Sequence, residues 1–227
     1  MTKRLAIIPA RGGSKRIKNK NLKNFFGKPL IYYPIRAAQK SKIFDKIHVS
    51  SDSIEILKYS KKLKINSDFK RPSELANDKV GLKKVLKYVV ENYARIGIEF
   101  DEVWLLYASN PFITYSIIQK CKKKFDKIKK NKNGSLITVT KYNYPVEWAQ
   151  KINKNDTLSP VNKKNILKRS QDIRNLFCDA GMINVYPSRI FKKNLKAKYF
   201  ALKIPNYSSI DIDDHEDFNL AKKIFSK

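Results

Sequence analysis

Apolar and polar positions alternate along this chain in two rhythms that take turns. Leu5-Ala6-Ile7-Ile8, Lys46–Ser50, Glu102–Tyr107, Ser135–Thr140 and Met182–Tyr186 are short runs rich in apolar and β-branched residues, and they predict buried strands. Glu102–Tyr107 is the most hydrophobic and is expected at the centre of the sheet. Between these runs, apolar residues recur three and four apart. Leu30, Pro34, Ile35 and Ala38 mark one helix through Lys40, with Pro29 in its first turn. Further helices are predicted at Ile54–Leu63, capped by Ser51-Asp52-Ser53, at Lys79–Tyr93, with Val80, Val85, Leu86, Val89 and Val90 inward, and at Tyr115–Lys124. A last strand is expected to end around Ile210–Asp213 and to run into a C-terminal helix.

Such alternation predicts an α/β fold with a doubly wound, mostly parallel (mixed) sheet, its ligands at the carboxyl ends of the strands. From Tyr142 to Leu176 the rhythm lapses, broken by Pro145, Pro160 and several Asn–Lys pairs. This stretch reads as an excursion from the sheet that serves as a lid or a dimer arm. The chain is therefore read as one domain over 1–227 with an insertion at 142–176.

The formal net charge of +29, from 49 Lys and Arg against 20 Asp and Glu, raises the question of nucleic acid. The lysines are scattered over the whole chain, no aromatic–basic repeat accompanies them, and the basicity reads as background that helps draw an anionic substrate. No apolar run is long enough to span a bilayer, and the N-terminus leads straight into the first strand, so a cytoplasmic protein without a membrane partner is expected. Cys121 and Cys178 lack metal-type spacing, which fits a reduced protein with no zinc site.

Candidate chemistry begins after the first strand, at Ala10-Arg11-Gly12-Gly13-Ser14-Lys15-Arg16. Adjacent glycines permit a tight turn and close approach of backbone N–H groups, and Arg11, Lys15, Arg16 and Lys20 surround it with charge. The spacing is neither that of a Walker A loop nor that of G-x-G-x-x-G. Taken alone, it fits an ordinary basic turn as well as a polyphosphate cradle. The second element is Asp211-Ile212-Asp213. Two carboxylates two apart in extended chain share a face, which suits Mg²⁺ beside substrate phosphates. Asp213 with Glu216, or Asp214 with Asp217, also fits a helix capping box, and Asp214, Glu216 and Asp217 are read as capping. Asp211 precedes any cap. His48, in an apolar strand, reads as a satisfied core residue, and His215 as a surface one.

These motifs carry a resemblance. IIPARGGSKRIKNKN, GKPLI, RPSEL with Arg71, and SSIDIDDHEDF resemble the acylneuraminate-type cytidylyltransferases from about Leu5 to Phe225, and RSQDIRNLFCDAG is most similar to their pseudaminic acid branch. The chain departs from the family pattern at Ala108-Ser109-Asn110-Pro111, at Asn77–Gly81 and at Cys178, where that branch tends to have histidine. The resemblance implies a nucleotide-diphospho-sugar transferase-like fold, CTP and a nine-carbon nonulosonic acid as substrates, Mg²⁺ as cofactor and a homodimer whose insertion reaches the partner's site. It implies that Ala10, Arg11, Gly12, Gly13, Ser14, Lys15 and Arg16 hold the triphosphate, and that Lys20 neutralises charge in the transition state. Asn21 and Arg71 would meet the nucleotide, Asp211 and Asp213 the metal, and Arg169 and Gln171 the sugar carboxylate. For Arg169 a salt bridge with Asp172 or Asp179 is nearly as good a reading. The rivals are a related enzyme acting on sialic, legionaminic or 3-deoxy-octulosonic acid, and a basic nucleic-acid-binding protein. The latter leaves the paired carboxylates unexplained.

Overall fold

The computed structural model describes residues 2–164 and 166–226. The first apolar run becomes β1 (Arg4–Pro9), and a small antiparallel ribbon of β2 (Asn24–Phe25) and β3 (Lys28–Pro29) precedes α1 (Tyr32–Ser41). Pro29 therefore ends a strand and does not open the helix. Next come β4 (Lys46–Ser50), α2 (Ile54–Lys62), α3 (Leu82–Arg95), β5 (Glu102–Leu106), α4 (Tyr115–Ile128) and β6 (Gly134–Lys141). The chain closes with β7 (Gln150–Ile152), β8 (Leu158–Pro160), β9 (Phe177–Pro187), α5 (Arg189–Lys192), β10 (Lys198–Lys203) and α6 (His215–Phe225). The main sheet has six strands in the order β10-β6-β9-β5-β1-β4. Its pairs are parallel except that β9 runs antiparallel to both β5 and β6.

Alternation within the strands explains why helices cover both faces. Ala6 and Ile8 of β1 with Trp104 and Leu106 of β5 point into a core shared with α1 and α4. Leu5, Ile7, Val103 and Leu105 point the other way, onto Leu86, Val89, Val90 and Tyr93 of α3. α3 starts at Leu82, so Val80, expected in the core, instead lines a cleft described below.

A third, smaller cluster joins the two ends of the chain. Ile17, Phe25 and Leu30 pack with Ile212, Phe218 and Ala221, and Phe25 meets Phe218 and Phe225 edge-on at 5.7 and 5.1 Å. Ile212 is fully buried there, between the two aspartates of interest. The expected strand ending at Asp213 is not formed. The segment is irregular coil, because Ile212 is held by this cluster and by a 3.4 Å hydrogen bond from its N–H to the Ser109 carbonyl, outside any strand ladder. The last strand is β10, which the sequence reading omitted.

From Tyr142, whose N–H still donates to the Leu176 carbonyl at 3.1 Å, to Leu176 the chain runs outside the main sheet. It carries the β7–β8 hairpin and two short 3₁₀ turns, and it exposes Tyr144, Ile152 and Leu167. No helix among the described residues is long and apolar enough to cross a membrane.

His48 is buried, with Nδ1 3.0 Å from the Tyr93 hydroxyl and Nε2 without a partner among the described residues. Burial lowers the imidazole from 6.5 to about 3, against an opposing pull from Asp68. The folded protein thus keeps His48 neutral where the unfolded chain would protonate it. The stability this residue supports is complete above pH 6.5 and falls by about 1.4 kcal/mol per pH unit on acidification towards pH 3. Urea midpoints measured from pH 7 to 5 are expected to drop less steeply for His48→Asn than for the wild type. Parallel slopes would refute that assignment.

Candidate active site

A cleft of about 470 Å³ opens at the carboxyl ends of β1 and β5. The glycine loop forms one side, the residues after β5 the floor, and the Asp211–Asp213 segment the far wall. The two ends of the chain, nearly two hundred residues apart, therefore share one site through the small cluster around Ile212.

The loop is more tightly tied than the sequence suggested. The Ala10 N–H donates to the Ser50 carbonyl at 2.9 Å, extending the β1–β4 pairing. The Gly12 N–H donates to Asp52 Oδ1 at 3.0 Å and the Ser14 N–H to the Gly12 carbonyl at 3.0 Å. A Cβ on Gly12 would lie 3.0 Å from the Ser53 Cβ, so the glycine there serves the close approach of the α2 start. The Gly12 N–H is thus engaged, whereas that of Gly13 has no protein partner among the described residues. Asn21 is buried and its amide donates to the Arg11 carbonyl at 3.0 Å, bracing the loop from beneath.

The cations are already paired. Arg11 and Lys15 both engage the Asp78 carboxylate, which they hold below the usual carboxylate range through hydrogen bonds. Lys20 Nζ bonds the Ile212 carbonyl at 2.6 Å and Asp213 Oδ1 at 2.9 Å, while Arg16 Nη2 lies 2.8 Å from Asp213 Oδ2. Arg71 is buried at the cleft edge. Its Nε donates to Ser50 Oγ at 3.1 Å and its Nη2 to the Ser50 carbonyl. Burial lowers its guanidinium to about 10, so it stays charged at neutral pH.

Asp211 and Asp213 both line the cleft, though neither belongs to a strand. Their environments differ. Asp213 is half-exposed, and although burial works to raise its pKa, Lys20 and Arg16 bring it below the ordinary value. Asp211 is raised by burial and by neighbouring Asp213 and Asp179, partly offset by a 2.6 Å hydrogen bond from Ser109 Oγ and by Lys20. Two oxygen donors, one desolvated beside a like charge, suit a hard divalent cation such as Mg²⁺. No cluster of three or more His, Cys, Asp or Glu that could hold a metal forms among the described residues, so such a cation would rest on two carboxylates and on oxygens brought by its ligand. The cap is resolved in favour of Asp214 and Asp217, which form a reciprocal capping box on α6 and leave Asp213 free of that duty. His215 is exposed.

Arg169 and Gln171 lie elsewhere, exposed in the inserted arm. Arg169 Nε is 3.3 Å from Asp172 Oδ2, the ion pair weighed against sugar binding, and neither residue lines the cleft of its own chain. Conversely, the sequence reading passed over Ser109, Gly181, Asp52 and Asp78 as site residues. Asn77-Asp78 and Ala108-Ser109 stood out only as departures from a pattern. Gly181 adopts φ +57, and a Cβ there would lie 2.7 Å from the Asp211 side chain. Its motif, Asp179-Ala180-Gly181, was visible, but the contact with Asp211 spans too much chain to be read from spacing.

Comparison with known proteins identifies the family. A family model described as cytidylyltransferase matches residues 5–204. The chain is 33% identical to a pseudaminic acid cytidylyltransferase of Campylobacter jejuni, over 98% of this chain and 96% of that protein. It is 32% identical to an N-acylneuraminate cytidylyltransferase of Escherichia coli, over 100% of this chain and 53% of that protein. The solved structure of a CMP:2-keto-3-deoxy-manno-octonic acid synthetase complexed with CTP superposes with a TM-score of 0.71, covering 99% of each chain at 14% identity, which is a likeness of fold. With a glycine loop and twin aspartates in one cleft, and a match running through nearly the whole sequence, the chain belongs to the cytidylyltransferase family.

Proposed function

We propose that this protein activates a nine-carbon nonulosonic acid, pseudaminic acid above others, with CTP, giving the CMP-sugar and pyrophosphate. The observation that carries the reading is the convergence of Arg11, Lys15, Arg16 and Lys20 with Asp211 and Asp213 on one cleft. The near full-length similarity to a pseudaminic acid enzyme supports the choice of sugar.

In this reading the anomeric hydroxyl of the sugar attacks the α-phosphorus. A new P–O bond forms, the bond from the α-phosphorus to the bridging oxygen breaks, its electron pair leaves with pyrophosphate, and the hydroxyl proton passes to solvent. Arg11, Ser14, Lys15 and Arg16, with the Gly13 N–H, hold the triphosphate, which displaces Asp78 from Arg11 and Lys15. Lys20 faces the charge that develops at the α-phosphate. Arg71 meets the nucleotide directly, while Asn21 acts by bracing the loop. Asp211 and Asp213 hold Mg²⁺, which when bound supplies charge neutralisation at the phosphates.

Homodimerisation completes the site. In the inserted arm Arg169 and Gln171 are exposed and do not line the cleft of their own chain, and the same stretch exposes Tyr144, Ile152 and Leu167. A second copy would cover that apolar surface and bring the planar Arg169 fork to the sugar carboxylate. A cytoplasmic protein, with access to CTP, fits this reading. Pyrophosphate release from CTP with a panel of pseudaminic, legionaminic, sialic and 3-deoxy-octulosonic acids tests the reading. The highest kcat/KM is expected with pseudaminic acid. Release with 3-deoxy-octulosonic acid alone would overturn the substrate class.

A further inference from the structure

β4 sits at the edge of the main sheet, and its outward carbonyls are covered by a strap, Ser67–Arg71, that leads to the cleft. The Ser50 carbonyl faces β1, whereas Val49 and Ser51 turn their carbonyls outward. Ser67 Oγ donates to Val49 at 2.7 Å and the Arg71 N–H to Ser51 at 2.9 Å. Side chains repeat the docking. Lys46, His48 and Ser50 alternate along β4 and share a face. They meet the strap in order: Lys46 Nζ lies 2.6 Å from Asp68 Oδ2, His48 stacks on Phe69 with ring centres 4.6 Å apart, and Ser50 takes Arg71.

Tyr93 of α3 joins these pieces. Its hydroxyl donates to Asp68 Oδ2 at 2.6 Å, so its oxygen accepts from the His48 Nδ1–H at 3.0 Å. The neutral imidazole is suited to that donor role. One phenol oxygen thus ties the edge strand to the strap, and Tyr88, five residues earlier in α3, adds a 3.1 Å bond to the Lys70 carbonyl. At the end of this chain Arg71 uses Nε and Nη2 on Ser50, and its Nη1 has no protein partner among the described residues.

We propose that the His48–Tyr93–Asp68 chain is a positioning network that aims Arg71 at the nucleotide and sets CTP affinity without touching CTP. This rests on the reading above that Arg71 contacts the nucleotide. Removing the Tyr93 hydroxyl leaves the His48 N–H unpaired in the core and Asp68 held by Lys46 alone. The strap then keeps its ties to Val49 and Ser51 but loses the bond that fixes Asp68 against the edge strand, and the unoccupied edge of the Arg71 guanidinium is held less firmly.

The test is a double-mutant cycle read by calorimetric titration of CTP. Tyr93→Phe is expected to weaken CTP binding about tenfold, the scale of one buried hydrogen bond, and to raise KM for CTP with kcat within about twofold. Arg71→Met is expected to weaken binding at least as much. In the Arg71→Met background, Tyr93→Phe should add nothing, because its effect passes through Arg71. A Tyr93→Phe protein that melts earlier yet binds CTP like the wild type would overturn the proposal, as would effects that multiply in the double variant. Arg71→Met binding CTP normally would instead remove the nucleotide contact itself, and that single result tells the two failures apart. Asp68→Asn runs the same cycle should Tyr93→Phe give no folded protein.

Discussion

Gly181→Ala is expected to lower turnover by about 10²-fold or more, approaching the loss caused by Asp211→Asn, because it displaces the same carboxylate. The two residues touch: a Cβ at 181 would lie 2.7 Å from both Cβ and Oδ2 of Asp211. Neither side can yield easily. Gly181 is clasped by its N–H to Asp179 Oδ1 at 2.9 Å and by its carbonyl to the buried Asn110 amide at 3.1 Å. Asp211 is followed by the fully buried Ile212 and is hydrogen-bonded to Ser109. The glycine also occupies an irregularity in the β6–β9 pairing, where Ile137 pairs with Asn184 but Val139 with Asp179. Bulges of this kind re-aim side chains beside active sites. At φ +57 an alanine adds roughly 1 kcal/mol of backbone strain to the cost of that clash, so the melting temperature should fall as well and turnover is compared on the folded fraction. Circular dichroism and steady-state kinetics on Gly181→Ala and Asp211→Asn together make the check. A folded Gly181→Ala enzyme with wild-type kcat would refute the contact's importance.

Lys20→Ala should cut kcat by about 10²- to 10³-fold with a smaller change in KM for CTP, as for a donor aimed at charge present mainly in the transition state. The ammonium is mostly enclosed and is fixed between the Ile212 carbonyl and Asp213, on the line joining the loop to the acids. Arg11 and Lys15, by contrast, pair with exposed Asp78, and in the proposed reading they serve ground-state phosphate binding. Lys20→Arg should rescue little, since a planar fork cannot take the two contacts of a compact ammonium. A rise in KM alone, with kcat kept, would make Lys20 a binding residue and nothing more.

Much of this site could be read from residue order because its parts are local. The apolar run into Gly12-Gly13, the cations around it and the Asp211/Asp213 spacing are each written within a dozen residues. Periodicity likewise found β1, β4, β5, β6 and the helices that cover them. What it missed depends on partners far along the chain. The extended look of Ile210–Asp213 suggested a ladder, but Ile212 is captured by Ile17 and Phe25 instead. Lys198–Lys203 holds an apolar run, Tyr199-Phe200-Ala201-Leu202, that is missing from the predicted strands although its signal is local, and it pairs with β6 along its whole length. Nothing in the sequence announces Asp52 as the acceptor of the Gly12 N–H, so local pattern points that group at phosphate. Ser109 and Gly181 act only through Asp211, and Tyr93 only through Asp68 and His48, so no local pattern marks them.

Mass spectrometry of the product formed by the purified protein from CTP and pseudaminic acid, with Mg²⁺ present, tests the central claim most directly. The account predicts one CMP-pseudaminic acid and one pyrophosphate per CTP consumed, with no CMP-sugar from the Asp211→Asn protein. CTP left intact with pseudaminic acid and with every other nonulosonic acid tried, or equal product from wild type and Asp211→Asn, would contradict it.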